Sequence, residues 1–201
     1  ELLRRGHFPR GGGEAILRVK PVRMLKPLRA VERGRVERIR GISHCTNLPP
    51  HVASRQAAAA MKILKGYSNV RITDEANRGA GPGSGIVLWA ETAGGTKIGG
   101  DALGARERRA EEVGAEAAEK LLSELQKGMA VDSHMADMLI LYASLAPGTS
   151  ELGASSLTLH SETMIWLSSR IIGAEWTVRR APNGSAVIRT EGIGLINSRL
   201  P

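Results

Sequence analysis

The chain has 201 residues, 42% of them hydrophobic and 24% charged, the balance of an ordinary globular protein long enough to bury a sizeable core. An aromatic content of 3% argues against stacked aromatic platforms, no apolar run approaches the length needed to span a bilayer, and the single cysteine, Cys45, allows neither an internal disulfide nor a cysteine-built zinc cage. The net charge of +8 is concentrated: residues 1–40 hold twelve Lys/Arg against four Asp/Glu, whereas residues 41–201 hold sixteen of each.

A basic segment of that density suits a polyphosphate partner, because each neutralised phosphate releases counterions. A solvated basic surface is the plain alternative. Lone-cysteine usage makes a reducing cytoplasm the expected compartment. The chain opens on Glu1 without a methionine or a signal-peptide pattern, and it reads as a piece of a longer protein entered within a domain.

In chain order, residues 10–14 (Arg-Gly-Gly-Gly-Glu) predict a tight turn into a strand at 15–20, after which Pro21 and Pro27 interrupt regular pairing. Residues 35–45 have strand-like composition, Asn47 to Pro50 make a turn, and the alanine-rich stretch 51–64 predicts a helix stopped at Gly66. Strands are expected at 70–73 and 86–91, with the glycine-rich stretch 79–85 as a flexible connection. It lacks the Gly-Lys-Ser/Thr ending of a phosphate loop and no helix follows it. A second hairpin arm is expected at 96–99, then a long helix from about 105 to 126, whose apolar stripe runs Val113, Ala117 and Leu121.

Asp132 or Ser133 is placed to cap a helix reaching about Leu145, which Pro147-Gly148 ends. A short strand is expected at 154–159 and a helix from Ser161 to a stop at Gly173. Strands at 175–179 and 186–189 flank the turn Pro182-Asn183-Gly184 as a hairpin. The expected class is α+β, with a small β-α-β-β-β-α module set inside a larger domain.

His160 falls at the predicted strand-to-helix junction. Unpaired N–H groups and the positive dipole end make such a place attractive to anions. A neutral imidazole there has a lone pair for attack at phosphorus, while capping or packing is the plain alternative. His134 and Asp137, three apart, share a helix face and could hold a ribose or an adenine edge, or be a solvated helix end. His7, His44 and His51 have no partner at metal-ligand spacing and read as surface or packing residues.

These pieces together resemble the RNA 3'-terminal phosphate cyclase family. Gly6-His7-Phe8-Pro9-Arg10-Gly11-Gly12-Gly13 looks like its Gly-x-x-Pro-x-Gly-Gly-Gly block, and Gly41-Ile42-Ser43, Asn47-Leu48-Pro49 and His51-Val52-Ala53 look like the start of its insert domain. Residues 131–139 are similar to the family's nucleotide-pocket helix, and His160-Ser161-Glu162-Thr163 to its His-x-x-Thr element.

The resemblance implies a ligase-class enzyme that forms a covalent histidyl-AMP from ATP and passes the AMP to an RNA 3'-phosphate. Attack by the neighbouring 2'-hydroxyl then gives a 2',3'-cyclic phosphate. It implies His160 as nucleophile, His134, Asp137 and Thr163 at the nucleotide, and Arg10, Arg18 and Lys20 toward RNA. ATP and a divalent cation (Mg or Mn) are the implied cofactors, with metal ligands left unassigned.

The implied division is 1–34 as the end of a core repeat, 35–129 as the insert domain and 130–201 as the last core repeat. The family's N-terminal half has no counterpart here, so this stretch alone is not expected to complete the reaction. A non-catalytic cyclase-like RNA-binding or ribosome-assembly protein is the alternative, and an enolpyruvyl-transferase-like enzyme of related architecture a third. Neither requires a covalent histidine.

Overall fold

A computed structural model describes residues 1–200. Its elements in order are strands β1 (Leu2–Arg4), β2 (Glu14–Ala15), β3 (Arg29–Ala30) and β4 (Val36–Thr46), helix α1 (His51–Ile63), and strands β5 (Val70–Asn77), β6 (Gly83–Thr92) and β7 (Lys97–Leu103). Helices α2 (Ala110–Gln126) and α3 (Ser133–Leu145), strand β8 (Pro147–Ala154), helix α4 (Leu159–Leu167) and strands β9 (Glu175–Arg180) and β10 (Ala186–Ile193) follow. The chain divides into two compact units. One comprises residues 1–19, 36–91 and 99–123, and the other residues 20–35, 92–98 and 124 onward. Residues 1–19 and 20–34, grouped together from the sequence, therefore fall in different units.

From β4 to α2 the order is β-α-β-β-β-α, as the sequence predicts. Its sheet runs β5-β4-β6-β7, with β4 and β5 parallel from Ile39 opposite Val70 to Thr46 opposite Asn77. Alternation puts Ile39, Ser43 and Cys45 of β4 and Ile86, Leu88 and Ala90 of β6 on the buried face. Ala53, Ala57 and Ala60 of α1 are buried, as are Val113, Ala117, Leu121 and Leu125 of α2, the stripe read from the sequence. The two helices touch where Gly114 has no side chain: a Cβ there would lie 2.0 Å from the carbonyl oxygen of Gln56. Gln56, fully buried, accepts from the Ser43 hydroxyl at 2.9 Å and donates to that of Ser84 at 2.9 Å.

Three expectations in this unit need correction. The long helix starts at Ala110 rather than 105, because Glu107 has a left-handed backbone (φ 66°) that an α-helix cannot contain. The glycine-rich stretch is less free than expected: β6 already begins at Gly83, and Ser84 and Gly85 are buried. A Cβ at Gly83 would lie 2.2 Å from the His7 ring, so these glycines make room for side chains. The strand expected at 15–20 is present only as Glu14–Ala15, paired antiparallel with β1. The predicted tight turn before it is present, with Gly11 and Gly12 at φ 63° and 76°.

The second unit is a sheet in the order β3-β8-β10-β9 with helices α3 and α4, the arrangement of the repeated sheet-plus-two-helices core that the family resemblance implies. β10 pairs antiparallel with both β8 and β9, and β3 lies parallel to β8. The β9–β10 hairpin turns at 182–184 as predicted. The core gathers Val131, Ala136, Ile140, Ala154 and Ile188, with Leu157, Ile165 and Trp176 packed against it.

The strand before His160 is displaced from its predicted place. It occupies Pro147–Ala154, held by eight residue pairs with β10, and residues 155–158 are loop. Alternation at 154–159 is real in the sequence, but backbone pairing with β10 decides where the strand lies.

Candidate active site

The turn of α4 that carries His160 is built by Thr158. Its backbone is extended (φ −81°, ψ 166°), and its hydroxyl oxygen accepts a hydrogen bond from the Ser161 N–H at 3.0 Å. The Glu162 N–H goes to the Thr158 carbonyl at 3.1 Å. An α-helix leaves its first N–H groups without internal acceptors, so the amides of Leu159 and His160 remain open at this end. His160 is the second residue of the helix and its side chain is exposed. The imidazole therefore stands beside two free N–H groups at the positive end of a helix, a setting that stabilises anionic oxygen.

The helix start is tied down from α3. Asp137, partly buried, accepts through Oδ1 from the Thr158 hydroxyl at 2.6 Å and from the Ser161 hydroxyl. Both donors converge on one carboxylate oxygen, and Oδ2 has no partner among the described residues. In the first turn of α4 Glu162 accepts from Arg180 at 2.6 Å, and at the far end the Trp176 ring N–H donates to Ser168 at 2.8 Å, so β9 anchors the helix at both ends. His160 thus sits on a helix fixed at both ends.

The remaining sequence-derived residues are placed as follows. α3 begins the same way as α4: Asp132 caps it by accepting from the Met135 N–H at 2.8 Å, and His134 is an exposed second residue. Thr163 is exposed, and its hydroxyl donates to the Leu159 carbonyl at 2.8 Å, a bond within α4. Arg10 and Arg18 belong to the first unit, and Lys20 to the second. Arg10 donates to the Ala80 carbonyl at 3.3 Å, and Arg18 lies 3.8 Å from the carboxylate of Glu1; both are exposed, as is Lys20.

No group of three or more His, Cys, Asp or Glu side chains comes together among the described residues. They therefore build no protein-only cage for a divalent cation. Among the described residues, no helix is long and apolar enough to cross a membrane.

Two roles were hidden from the sequence. Thr158 and Ser161, which hold the His160 turn, are ordinary polar residues whose importance depends on Asp137 arriving from another helix. In the first unit, His44 was read with His7 as packing or surface. Its ring is buried 5.7 Å from that of His7, and Nδ1 has no hydrogen-bond partner among the described residues. Burial, and then the charges of Arg5 and His7, push its pKa down from 6.5 to about 4, against a smaller opposing effect of Glu75.

The model of the RNA 3'-terminal phosphate cyclase (RTC) insert domain matches residues 31–126, the stretch that contains β4 to α2. Among curated proteins, the RNA 3'-terminal phosphate cyclase of Pyrobaculum neutrophilum is 47% identical over 196 residues, covering 96% of this chain and 56% of the relative. That of Staphylothermus marinus is 48% identical over 204 residues (97% and 57%), and that of Methanopyrus kandleri 44% over 201 residues (96% and 57%). The chain spans about half the length of these relatives. Identity of this degree over nearly the whole chain, with the insert module in its expected order, means that the chain belongs to the RNA 3'-terminal phosphate cyclase family.

Proposed function

We propose that the complete protein uses ATP to convert an RNA 3'-terminal phosphate to a 2',3'-cyclic phosphate, with His160 as the covalent nucleophile. An imidazole nitrogen of His160 attacks the α-phosphorus of ATP; a P–N bond forms, the bond to the β-phosphate oxygen breaks, and pyrophosphate leaves. The RNA 3'-phosphate then displaces the histidine, taking the AMP. Finally the 2'-hydroxyl attacks the 3'-phosphorus, AMP leaves, and the hydroxyl proton passes to solvent or a base. The open amides of Leu159 and His160 are suited to oppose charge on the α-phosphate oxygens.

The carrying observation is the exposed His160 on a helix start capped by Thr158 and tied to Asp137. In this reading Oδ2 of Asp137, His134 and Thr163 line the nucleotide pocket, and Arg10, Arg18 and Lys20 face RNA. A divalent cation, when bound, would offset the charge of the triphosphate. The division 1–34, 35–129 and 130–201 is retained as core repeat, insert domain and last core repeat, and the compartment is the cytoplasm.

The test is transfer of label from ATP marked at the α-phosphate to denatured protein. The complete protein should become labelled and His160→Ala should not. No transfer, or transfer that survives the substitution, overturns the mechanism and favours a binding role.

A further inference from the structure

The first unit contains a second place built for anions. A cavity of 320 Å³ opens beside β1 and the β4–β5 edge, lined by the guanidinium-bearing residues Arg4, Arg5 and Arg78 with the single carboxylate Glu75. Leu3 and Ile42 form apolar wall beside these charges. Its volume lies at the lower end of small-ligand pockets, roughly 300–1,000 Å³.

The arginines are not equally engaged. Arg4 donates to the Gly12 carbonyl at 2.7 Å and lies 3.6 Å from Glu14. Arg5, with most of its side chain buried, pairs with Glu75 at 2.8 Å. Arg78 is exposed and has no ion-pair or hydrogen-bond partner among the described residues. Arg4 and Arg5 thus have carboxylate neighbours in Glu14 and Glu75, and the third cation, Arg78, is free among the described residues. The charge of Arg5 also reaches the neighbouring His44, where it adds to burial in disfavouring the imidazolium.

The cavity does not end abruptly. Ile42 and Glu75 lie on the sheet face opposite that of Ser43, which bonds to α1. By the two-residue period of a strand, Arg40 and Arg71 share the face of Ile42, and they stand directly opposite each other in the β4–β5 register. Cations therefore continue from the cavity along the strands, as an extended chain of phosphates requires and a single small anion does not.

We propose that this cavity binds a backbone phosphate of a single-stranded RNA, with Arg78 and Arg5 as its contacts and Glu75 limiting its affinity. The site rests on the reading of the protein as an RNA-acting cyclase but shares no residue with the His160 element. It would hold the strand, not the reacting end.

The experiment measures binding of a fluorescent single-stranded RNA to the complete protein by anisotropy across a salt series, with label transfer from ATP as a parallel readout. Arg78→Gln should weaken binding about tenfold and reduce the slope of log K against log salt by about 1, leaving adenylate labelling unchanged. Glu75→Gln should act in the opposite direction and tighten binding, which loss of a merely structural ion pair would not do.

Unchanged affinity and slope in Arg78→Gln, or weakened binding in Glu75→Gln, overturns the site. Inorganic phosphate alone provides the other arm. If phosphate stabilises the parent thermally and not Arg78→Gln, while both bind RNA equally, the cavity takes free phosphate and the RNA assignment is overturned. Loss of labelling in the parent would instead refute the His160 mechanism and leave these binding results standing.

Discussion

Asp137 on α3 and Thr158 at the start of α4 are joined by a 2.6 Å hydrogen bond in which the threonine hydroxyl donates to the carboxylate while its oxygen accepts from the Ser161 N–H. One hydroxyl thus performs two jobs: it ends the loop by capping the helix, and it locks that cap to a second helix. His160 lies between Thr158 and Ser161, both bonded to Asp137, so its position is inherited from theirs.

This arrangement predicts an asymmetry between two small substitutions at Thr158. Thr158→Ser keeps the hydroxyl and should preserve both stability and labelling at His160. Thr158→Val keeps the shape, loses the cap, and leaves a carboxylate with one fewer donor. It should lower unfolding free energy by about 1–2 kcal/mol. Displacement of the helix start should also slow adenylate labelling roughly 10- to 100-fold. Denaturant melts and single-turnover labelling check both, and equal behaviour of the two variants would remove Thr158 from this role.

The same geometry separates two uses of Asp137. Asp137→Ala removes the tie to α4 and should reduce labelling even at saturating ATP. If the residue served only the nucleotide through Oδ2, added ATP would restore the rate. A titration of labelling rate against ATP concentration distinguishes a lowered plateau from a shifted midpoint.

His44 predicts a pH dependence of stability in the first unit. Its pKa is about 4 in the fold against 6.5 for a free imidazole, so between those values the unfolded chain binds the extra proton. Stability contributed by the neutral ring is therefore full above pH 6.5 and is lost as pH falls toward 4, by on the order of 1–3 kcal/mol. Urea titrations between pH 4.5 and 7 should show this slope in the parent and a flatter one in His44→Gln. A slope unchanged by the substitution would place the proton uptake elsewhere.

Close approach of α1 and α2 gives a stability test independent of the chemistry. Gly114→Ala would bring a Cβ to 2.0 Å from the backbone oxygen of Gln56, and neither helix backbone can yield without parting the pair. A cost of about 1–3 kcal/mol and a lower Tm are expected. Gly66→Ala, where an added Cβ meets nothing within 4 Å, is the control and should leave Tm nearly unchanged.

Much of the fold was legible from local pattern. The apolar stripe of α2, the cap of α3 (Asp132 of the two residues offered, Asp132 or Ser133), the left-handed Gly173 that closes the helical turn 168–172 following α4, and the 182–184 hairpin turn each depend on residues close together in the chain, and each is present. One cause of failure is pairing between distant strands. The strand before His160 lies at Pro147–Ala154 rather than 154–159 because β10 sets its register.

The amino-acid order by itself determined the β-α-β-β-β-α module, the placement of His160 near a helix start and the concentration of positive charge in residues 1–40, since these follow from periodicity, capping chemistry and composition. Only the tertiary structure decided what holds that helix start and where a buried charge can stand. Asp137 meets Thr158 across 21 positions of sequence, and Arg5 meets Glu75 across 70. No local pattern encodes such meetings, because hydrogen bonds and ion pairs form between neighbours in space, and the packed sheets and helices choose those neighbours.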